Sequence, residues 1–250
     1  PVGILGATGM VGQRLITLLT DHPWFEIVCL AASETSAGKT YVQATEGRWE
    51  QTETIPEHIK QMRVEAMEQD MKEIASRVSL VFCAIDAEKI WIQNIEEQYA
   101  SCGVAVISNN SAHRWTQDIP MIMPEINPDH LGLIETQRKN RGWSTGCLVT
   151  KPNCSIQCVV PLIRAWEAFE PTQVGVSTYQ AISGAGKTFR TWPEMIDNVI
   201  PFIQGEEEKT QNEPAKILGT LTKETIDLAH TPLISAQCLR VPVSDGHMAA

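Results

Sequence analysis

Cys154 and His247 are the residues of this sequence whose types and surroundings suit covalent catalysis. Cys154 lies in the segment KPNCS, where Pro152 and Asn153 favour a turn and the cap of a following helix. We expect Cys154 at or in the first turn of that helix, where the dipole and free N–H groups stabilise a thiolate. His247 lies in a Ser-Asp-Gly turn after an apolar strand and would supply the base that a cysteine nucleophile needs.

Both assignments compete with structural interpretations that the residues alone leave open. Most cysteines are small buried hydrophobes, which is our expectation for Cys158 and also fits Cys154. An isolated histidine is more often a surface or core-edge residue than a catalytic base. Five others compete with His247: His22, His58, His113, His130 and His230.

The start of the chain has the pattern of a dinucleotide-binding loop. Gly6, Gly9 and Gly12 have the spacing GxxGxxG directly after an apolar strand and directly before a helix. Such glycines let the backbone turn tightly and approach a pyrophosphate, and the helix N-terminus supplies free N–H groups. An ordinary strand–turn–helix is the alternative, but the context favours dinucleotide binding.

The residues after the second strand favour NADP over NAD. Ser33, Ser36 and Lys39 offer two hydroxyl groups and a cation, which suit a 2′-phosphate. NAD sites usually have an acidic residue here that binds the ribose 2′-hydroxyl. Glu34 could take that part, and a solvated polar loop is the remaining alternative.

Strand and helix patterns alternate in the first half of the chain, which predicts an α/β fold with a parallel sheet covered on both faces. The second half predicts an α+β domain with a mixed or antiparallel sheet. We place a Rossmann-like NADP-binding domain at residues 1–150 and a substrate-binding and dimerisation domain at residues 151–250. The predicted strands are Val2–Leu5, Phe25–Ala32, Ser79–Ile85, Val104–Ile107, Thr172–Ile182 and Ser235–Val243, and the predicted helices are Met10–Leu19 and Ala87–Tyr99.

Two polar segments are harder to interpret. Gln137–Trp143 is basic and polar, and we expect a surface turn there. Ile200–Lys223 is charged and carries few strand signals, which predicts a loop with a short helix.

Composition excludes several classes of function. The 30 acidic residues outnumber the 20 basic ones, for a net charge of −10, which argues against a nucleic-acid or membrane-surface binder. The seven cysteines form no CxxC pair and no zinc-like spacing, so we expect no metal site and no disulfide framework. Because no apolar run is long enough to span a bilayer and no signal peptide is visible, we expect a cytoplasmic protein.

Seven segments together resemble the aspartate-semialdehyde dehydrogenase family, and they follow the family's order along almost the whole chain. The segment DNVIPFIQGEEEK (Asp197–Lys209) is similar to the fungal and archaeal branch. As a set they are specific, whereas the wider group shares only PNC and the glycines. The segments are GATGMVG (Gly6–Gly12), SAGK (Ser36–Lys39), SNNSAHR (Ser108–Arg114), PNCS (Pro152–Ser155), TYQAISGAG (Thr178–Gly186), GEEEK (Gly205–Lys209) and CLRVPVSDGH (Cys238–His247).

The resemblance implies that NADPH reduces L-aspartyl 4-phosphate to L-aspartate 4-semialdehyde and phosphate, or the reverse, through a cysteine thioester. This step belongs to the biosynthesis of lysine, threonine, methionine and isoleucine. The family's nucleophile corresponds to Cys154, its acid/base to His247, and its orienting glutamine to Gln180.

The resemblance also assigns substrate and cofactor contacts. Arg240 would grip the α-carboxylate bidentately, and Glu206 the α-ammonium, with Glu207 and Glu208 as alternatives. Lys209 and Arg114 would hold the phosphate. The alternative for Glu206–Lys209 and for Arg114 is that these charged side chains lie at the surface in contact with solvent and bind nothing. Asn153 completes the substrate set. The predicted cofactor contacts are Gly6, Thr8, Gly9, Met10, Val11, Gly12, Ser33, Ser36, Lys39, Ser183 and Gly184.

Two further expectations concern the rest of the molecule. Family members usually continue well beyond the histidine motif, so we expect the C-terminal domain to be incomplete here. A homodimer or homotetramer is expected. Two alternative reactions are the reduction of N-acetyl-glutamyl phosphate and of malonyl-CoA, and the site for a free amine predicted in GEEEK disfavours both. The third alternative is a non-catalytic nucleotide-binding subunit.

Overall fold

The chain forms two compact units in a computed structural model that describes residues 1–250. The first unit comprises Pro1–Ile119 and Ile134–Lys151, and the second comprises Pro120–Leu133 and Pro152–Ala250. Residues 120–133, which we had placed in the first domain, therefore group with the second unit. The reason is packing, because Met121 and Met123 lie in a buried cluster with Ile156, Val160 and Ile217.

A parallel sheet forms the centre of the first unit, as the alternating sequence pattern predicts. Its six strands lie in the order β3-β2-β1-β4-β5-β6, and every neighbouring pair is parallel. The strands are β1 (Val2–Leu5), β2 (Ile27–Ala32), β3 (Val64–Ala66), β4 (Leu80–Cys83), β5 (Ala105–Ser108) and β6 (Cys147–Thr150). The strand order reverses between β1 and β4, so a ligand crevice is expected at the carboxyl ends of these two strands.

Helices cover both faces of this sheet. They are α1 (Met10–Leu19), α2 (Tyr41–Ala44), α3 (Glu57–Lys60), α4 (Met71–Arg77), α5 (Lys89–Ser101) and α6 (Leu133–Arg141). Alternate strand residues point to opposite faces: Ile4 packs in a core with Ile16 of α1, and Leu5 in a second core with Ile95 of α5.

The prediction of a surface turn at Gln137–Trp143 is wrong, because α6 covers most of this segment. Gln137 is fully buried, and its side chain bonds to the backbone of Asp118 and Leu148. Arg141 forms two hydrogen bonds to the Asp118 carboxylate. Some of the polar side chains that indicated a solvated turn, those of Gln137 and Arg141, are used in internal bonds instead.

The second unit is an α+β structure with a mixed sheet, as predicted. β10 runs parallel to β7, and β11 runs antiparallel on the other side of β7. Its elements are α7 (Val160–Ala165), β7 (Gln173–Gln180), α8 (Glu206–Ile217), the hairpin β8 (Thr220–Leu221) and β9 (Ile226–Asp227), β10 (Leu233–Arg240) and β11 (Met248–Ala249). The segment Ile200–Lys223 holds the twelve-residue α8, a longer helix than we predicted.

None of the helices combines the length and the apolar character needed to cross a membrane. All seven cysteines are free thiols.

Candidate active site

The end of β7 brings three polar side chains together in the second unit. Gln180 is the register partner of Arg240 on the parallel strand β10, so the two side chains point to the same face. β11 pairs antiparallel with β7 through Met248 and Tyr179, which sets His247, one residue earlier, beside Gln180. The sheet register alone therefore collects an amide, a guanidinium and an imidazole at one place.

His247 is paired with Cys154. The backbone N–H of Ala181 donates to Nδ1 of His247 over 3.1 Å, which leaves Nε2 as the nitrogen that faces the thiol. A hydrogen bond to Cys154 raises the pKa of His247, although burial of the ring acts in the opposite direction. Cys154 is exposed. The pair thus combines an accessible sulfur with a nitrogen placed for proton exchange.

The structure corrects the helix predicted after Cys154. The residues Ser155–Cys158 form a single 3-10 turn, and the α-helix begins only at Val160. Pro161 lies in the first turn of α7, a position that suits a residue without an N–H group. Because the turn is so short, its dipole is a weak source of thiolate stabilisation, and His247 and Arg240 are charged or polar partners of Cys154 that do not depend on it.

Asn153 holds in place the loop that carries Cys154. Its amide donates to Oε2 of Glu206 at 2.6 Å, and its Oδ1 accepts the backbone N–H of Ser155 at 2.7 Å. The backbone N–H of Asn153 donates to Oε2 of Glu213 at 2.6 Å. Two carboxylates of α8 therefore clamp the residue that precedes Cys154.

Of the three acidic residues in GEEEK, only Glu206 points into this cluster. Burial would raise the pKa of Glu206, but hydrogen bonds from Lys209, Asn153 and Gln180 hold it below its usual range. Glu206 therefore stays ionised. Glu207 instead accepts the backbone N–H of Cys238 at 3.2 Å, and Glu208 is exposed.

Lys209 forms a salt bridge with Glu206 at 2.6 Å and keeps 37% of its side-chain surface exposed. The Lys209 ammonium and the Glu206 carboxylate therefore lie together in one site. A substrate ammonium would compete with Lys209 for the Glu206 carboxylate, while the exposed part of Lys209 is open to an anion.

Arg240 is a buried cation beside these groups. It is 5% exposed, and Nη1 donates to the Ala181 carbonyl at 2.7 Å. Burial lowers the pKa of Arg240, while the charges of Glu206 and Cys154 act against this effect. A buried guanidinium with several remaining N–H donors suits an anionic group such as a carboxylate.

The small-residue segment after β7 packs against Arg240 and His247. A Cβ atom on Gly184 would lie 2.8 Å from both Nη1 of Arg240 and Cε1 of His247. We expected this glycine to let a cofactor approach the backbone; the structure adds a packing reason for it. The Ser183 hydroxyl donates to Asp245 at 2.9 Å, which ties this segment to the turn that carries His247.

In the first unit, the glycine loop follows β1 at the point where the strand order reverses. Gly6 has a φ of +78° and its Cβ would lie 2.4 Å from the Ala84 carbonyl oxygen, whereas a Cβ on Gly12 would lie 2.3 Å from the Gly6 carbonyl oxygen. Gly9 has ordinary space around it, the nearest atom to its Cβ lying 3.5 Å away. Packing therefore requires glycine at positions 6 and 12, whereas the space around Gly9 would also accommodate a Cβ atom.

The backbone N–H groups of Thr8, Met10 and Val11 find no partner within the chain, and all three residues are at least partly exposed. They lie at the N-terminus of the ten-residue helix α1. Unpaired N–H groups at the start of a helix form the usual site for a phosphate group.

The residues predicted to bind a 2′-phosphate follow β2, in the same unit. Ser33 and Lys39 are exposed, whereas Ser36 is buried. The Lys39 ammonium donates to the Thr35 carbonyl at 2.9 Å, and Glu34 is hydrogen-bonded to Gln69.

Arg114 also belongs to the first unit and is buried. It donates from Nε to the Lys151 carbonyl at 3.0 Å and from Nη2 to the Asn109 carbonyl at 3.4 Å. It therefore supports the backbone at Lys151.

His247 is the histidine that contacts Cys154. Of its competitors, His113 and His130 are buried in internal bonds, His113 to Thr116 and His130 to Asn127.

Comparison with known proteins identifies the family. Residues 1–134 match the model described as semialdehyde dehydrogenase, NAD binding domain, and residues 159–250 match the semialdehyde dehydrogenase dimerisation domain. The chain is 42% identical over 249 residues to the aspartate-semialdehyde dehydrogenase of Archaeoglobus fulgidus, covering 100% of this chain and 70% of that protein. The chain belongs to the aspartate-semialdehyde dehydrogenase family.

The chain is also similar to other aspartate-semialdehyde dehydrogenases, in sequence and in structure. The protein of Schizosaccharomyces pombe is 44% identical over 99% of this chain and 68% of its own length. The crystal structure of the Candida albicans enzyme with NADP superimposes with a TM-score of 0.86 at 36% identity, covering 99% of this chain and 69% of that one. The resemblance inferred from the sequence motifs, including the fungal and archaeal relatives, is confirmed.

Sequence reasoning missed two groups that shape the site of this aspartate-semialdehyde dehydrogenase family member. Glu213 follows Glu206 by seven residues, so the two lie on one face of α8, and this spacing is readable from the sequence. The Ala181 N–H that orients His247 has no sequence signal, because it depends on the pairing of β7 with β11.

Proposed function

We propose that this chain is an NADP-dependent phosphorylating dehydrogenase that interconverts L-aspartyl 4-phosphate and L-aspartate 4-semialdehyde. The observation that carries the proposal is the hydrogen-bonded pair of the exposed Cys154 and His247, beside the buried Arg240 and the ionised Glu206. The family relationship and the names of the relatives support the same reaction.

The four groups suit an amino-acid aldehyde as substrate. Arg240 would bind the α-carboxylate, and Glu206 the α-ammonium. Lys209 would bind the incoming phosphate through its exposed surface, and Arg114 is the second cation assigned to that anion. A buried cation and a buried anion placed together select a zwitterion, because a ligand with one charge would leave the other group unmatched.

In the oxidative direction, the Cys154 thiolate attacks the aldehyde carbon, a C–S bond forms, and the electrons of the C=O π bond move to the oxygen. Because Nδ1 of His247 accepts the Ala181 N–H, Nε2 carries the proton and would donate a hydrogen bond to that oxygen. Loss of a hydride from the same carbon restores the C=O bond and leaves a thioester. NADP, when bound, would supply the acceptor for the hydride that leaves the former aldehyde carbon, which no side chain can provide. Phosphate then attacks the thioester carbonyl, the C–S bond breaks, and Cys154 is released as a thiolate. Gln180, at the end of β7, would orient the reacting carbonyl.

The first unit fits NADP. The unpaired N–H groups of Thr8, Met10 and Val11 suit the pyrophosphate, together with the backbone of Gly6, Gly9 and Gly12. The exposed Ser33 and Lys39 suit the 2′-phosphate, and the buried Ser36 would shape their loop. In the second unit, Ser183 and Gly184 are the proposed contacts for the nicotinamide end.

The proposal is tested by NADPH formation from aspartate semialdehyde with and without phosphate. We expect turnover that requires phosphate and is lost in Cys154→Ala, while NADP binding persists in that variant. The aldehydes of N-acetylglutamate and malonate should react far more slowly, because neither presents a free α-ammonium to Glu206. Equal rates on the three aldehydes, or turnover by Cys154→Ala, would overturn the proposal.

We also propose that the chain works as a homodimer or homotetramer in the cytoplasm. The match to a dimerisation domain supports the oligomer, and the seven free thiols suit a reducing compartment. Sedimentation of the purified protein would measure the oligomeric state.

A further inference from the structure

The carbonyl groups of the glycine loop are tied back into the first unit. The Ala7 carbonyl accepts the Tyr41 hydroxyl at 2.8 Å, and the Thr8 carbonyl accepts Nε2 of Gln13 at 3.0 Å. The Gly6 carbonyl accepts the backbone N–H of Gly9 at 3.1 Å. Three consecutive carbonyls therefore face the protein rather than solvent.

This arrangement decides where the N–H of Thr8 points. In a planar trans peptide the C=O and N–H bonds point in opposite directions. Because the hydroxyl of Tyr41 holds the Ala7 carbonyl inward, the N–H of Thr8 faces outward. That N–H is one of those that lack a partner within the chain.

The side chains of Tyr41 and Gln13 are both buried, and both hydrogen-bond to the glycine loop. Tyr41 is fully buried, and a buried hydroxyl needs a hydrogen-bond partner. Gln13 is 1% exposed and makes two further bonds, donating to the Arg48 carbonyl at 2.8 Å and accepting the Glu50 N–H at 2.9 Å. Gln13 thus joins the glycine loop to the segment around Arg48, which restricts the motion of both.

We propose that Tyr41 is a positioning residue that aims the Thr8 N–H of the glycine loop at the pyrophosphate of NADP, and that Gln13 supports it by holding the next carbonyl of the same loop. They would act through the backbone, without touching the cofactor. The inference rests on the proposed function, because it takes this loop as the pyrophosphate site.

The test compares Tyr41→Phe with Tyr99→Phe. Tyr99 is a matched control, since it is also fully buried in the first unit and its hydroxyl donates to a backbone carbonyl, that of Met67, at 2.7 Å. Each change removes one hydroxyl and one hydrogen bond. The melting temperature should fall by a similar amount in both variants. Only Tyr41 contacts the glycine loop, so only Tyr41→Phe should affect the binding of the pyrophosphate.

Two ligands separate positioning from general destabilisation. NADPH carries the pyrophosphate, and adenosine 2′-monophosphate lacks it. We expect Tyr41→Phe to raise the Kd for NADPH about threefold to tenfold, the effect of one hydrogen bond, and to leave the Kd for adenosine 2′-monophosphate unchanged. Tyr99→Phe should change neither. In turnover assays, Tyr41→Phe should raise KM for NADPH while kcat at saturation is kept.

Several results would overturn the inference. It would be wrong if Tyr41→Phe and Tyr99→Phe bound NADPH equally well, or if Tyr41→Phe weakened both ligands to the same degree. Gln13→Leu provides an independent check, since it should weaken NADPH binding alone, and an unchanged Kd there would also count against the proposal. Failure of the wild-type chain to bind NADPH would instead overturn the proposed function, and this inference with it.

Discussion

Gly184→Ala is a small change with a large expected effect. A Cβ atom at this position would lie 2.8 Å from Nη1 of Arg240, 2.8 Å from Cε1 of His247 and 3.0 Å from its Nε2. Normal contacts between carbon and nitrogen or carbon atoms are roughly 3.5 Å or more, so one of the two side chains must move by about half an ångström or more.

Both neighbours are held in place by hydrogen bonds, and both have roles in the proposed reaction. Arg240 is buried and bonded to Ala181 at 2.7 Å, and His247 is held by the Ala181 N–H at 3.1 Å. A misplacement of about 1 Å in a catalytic group can lower the rate ~10²-fold. We therefore expect kcat/KM for aspartate semialdehyde to fall by ~10²-fold in Gly184→Ala.

The assay is steady-state NADPH formation, with Gly175→Ala as the control. Gly175 lies in β7 of the same unit, and a Cβ there meets no atom within 4 Å. The control should keep wild-type kinetics. The Kd for NADPH, measured separately, shows whether any loss comes from cofactor binding instead. A kcat/KM for Gly184→Ala within twofold of the wild type would refute the packing argument.

Three further predictions follow from the same site. Glu206→Gln should lower kcat/KM for aspartate semialdehyde about 10- to 100-fold, as loss of a charged hydrogen bond does, whereas the exposed Glu208→Gln should not; equal effects would remove Glu206 from substrate binding. Arg240→Lys should raise KM for the same substrate about tenfold or more, because a bidentate grip is lost, while Arg164→Lys, at an exposed salt bridge, should leave it unchanged. Cys154→Ala removes the bond that raises the pKa of His247 and keeps the burial that lowers it, so the imidazole should titrate at lower pH by NMR; an equal or higher midpoint would contradict the pairing.

Local signals predicted the first unit well. The bounds Val2–Leu5 and Met10–Leu19 agree with β1 and α1, because the glycines mark both the end of the strand and the start of the helix. The three-residue β3 and the polar α6 were missed or misassigned. β3 is too short for a periodic signal, and the buried side of α6 combines the apolar Leu133 with Gln137, whose polar side chain is satisfied by hydrogen bonds.

The chemistry was easier to predict than its geometry. Residue types and the family motifs pointed to Cys154, His247 and Arg240, and their roles remain predictions until variants are measured. The pairing of β7 with β10 and β11, which assembles these side chains, joins residues far apart in the chain and has no local sequence signal. The 3-10 turn after Cys154 likewise replaced the expected helix because Pro161 delays its start.

In the proposed reaction, Cys154 carries the acyl group between the two half-reactions. Intact-protein mass spectrometry after mixing with aspartate semialdehyde and NADP, in the absence of phosphate, would detect this acyl-enzyme. We expect an aspartyl adduct on Cys154 that disappears when phosphate is added and is absent from Cys154→Ala. Turnover with no adduct, or an adduct on another residue, would contradict it.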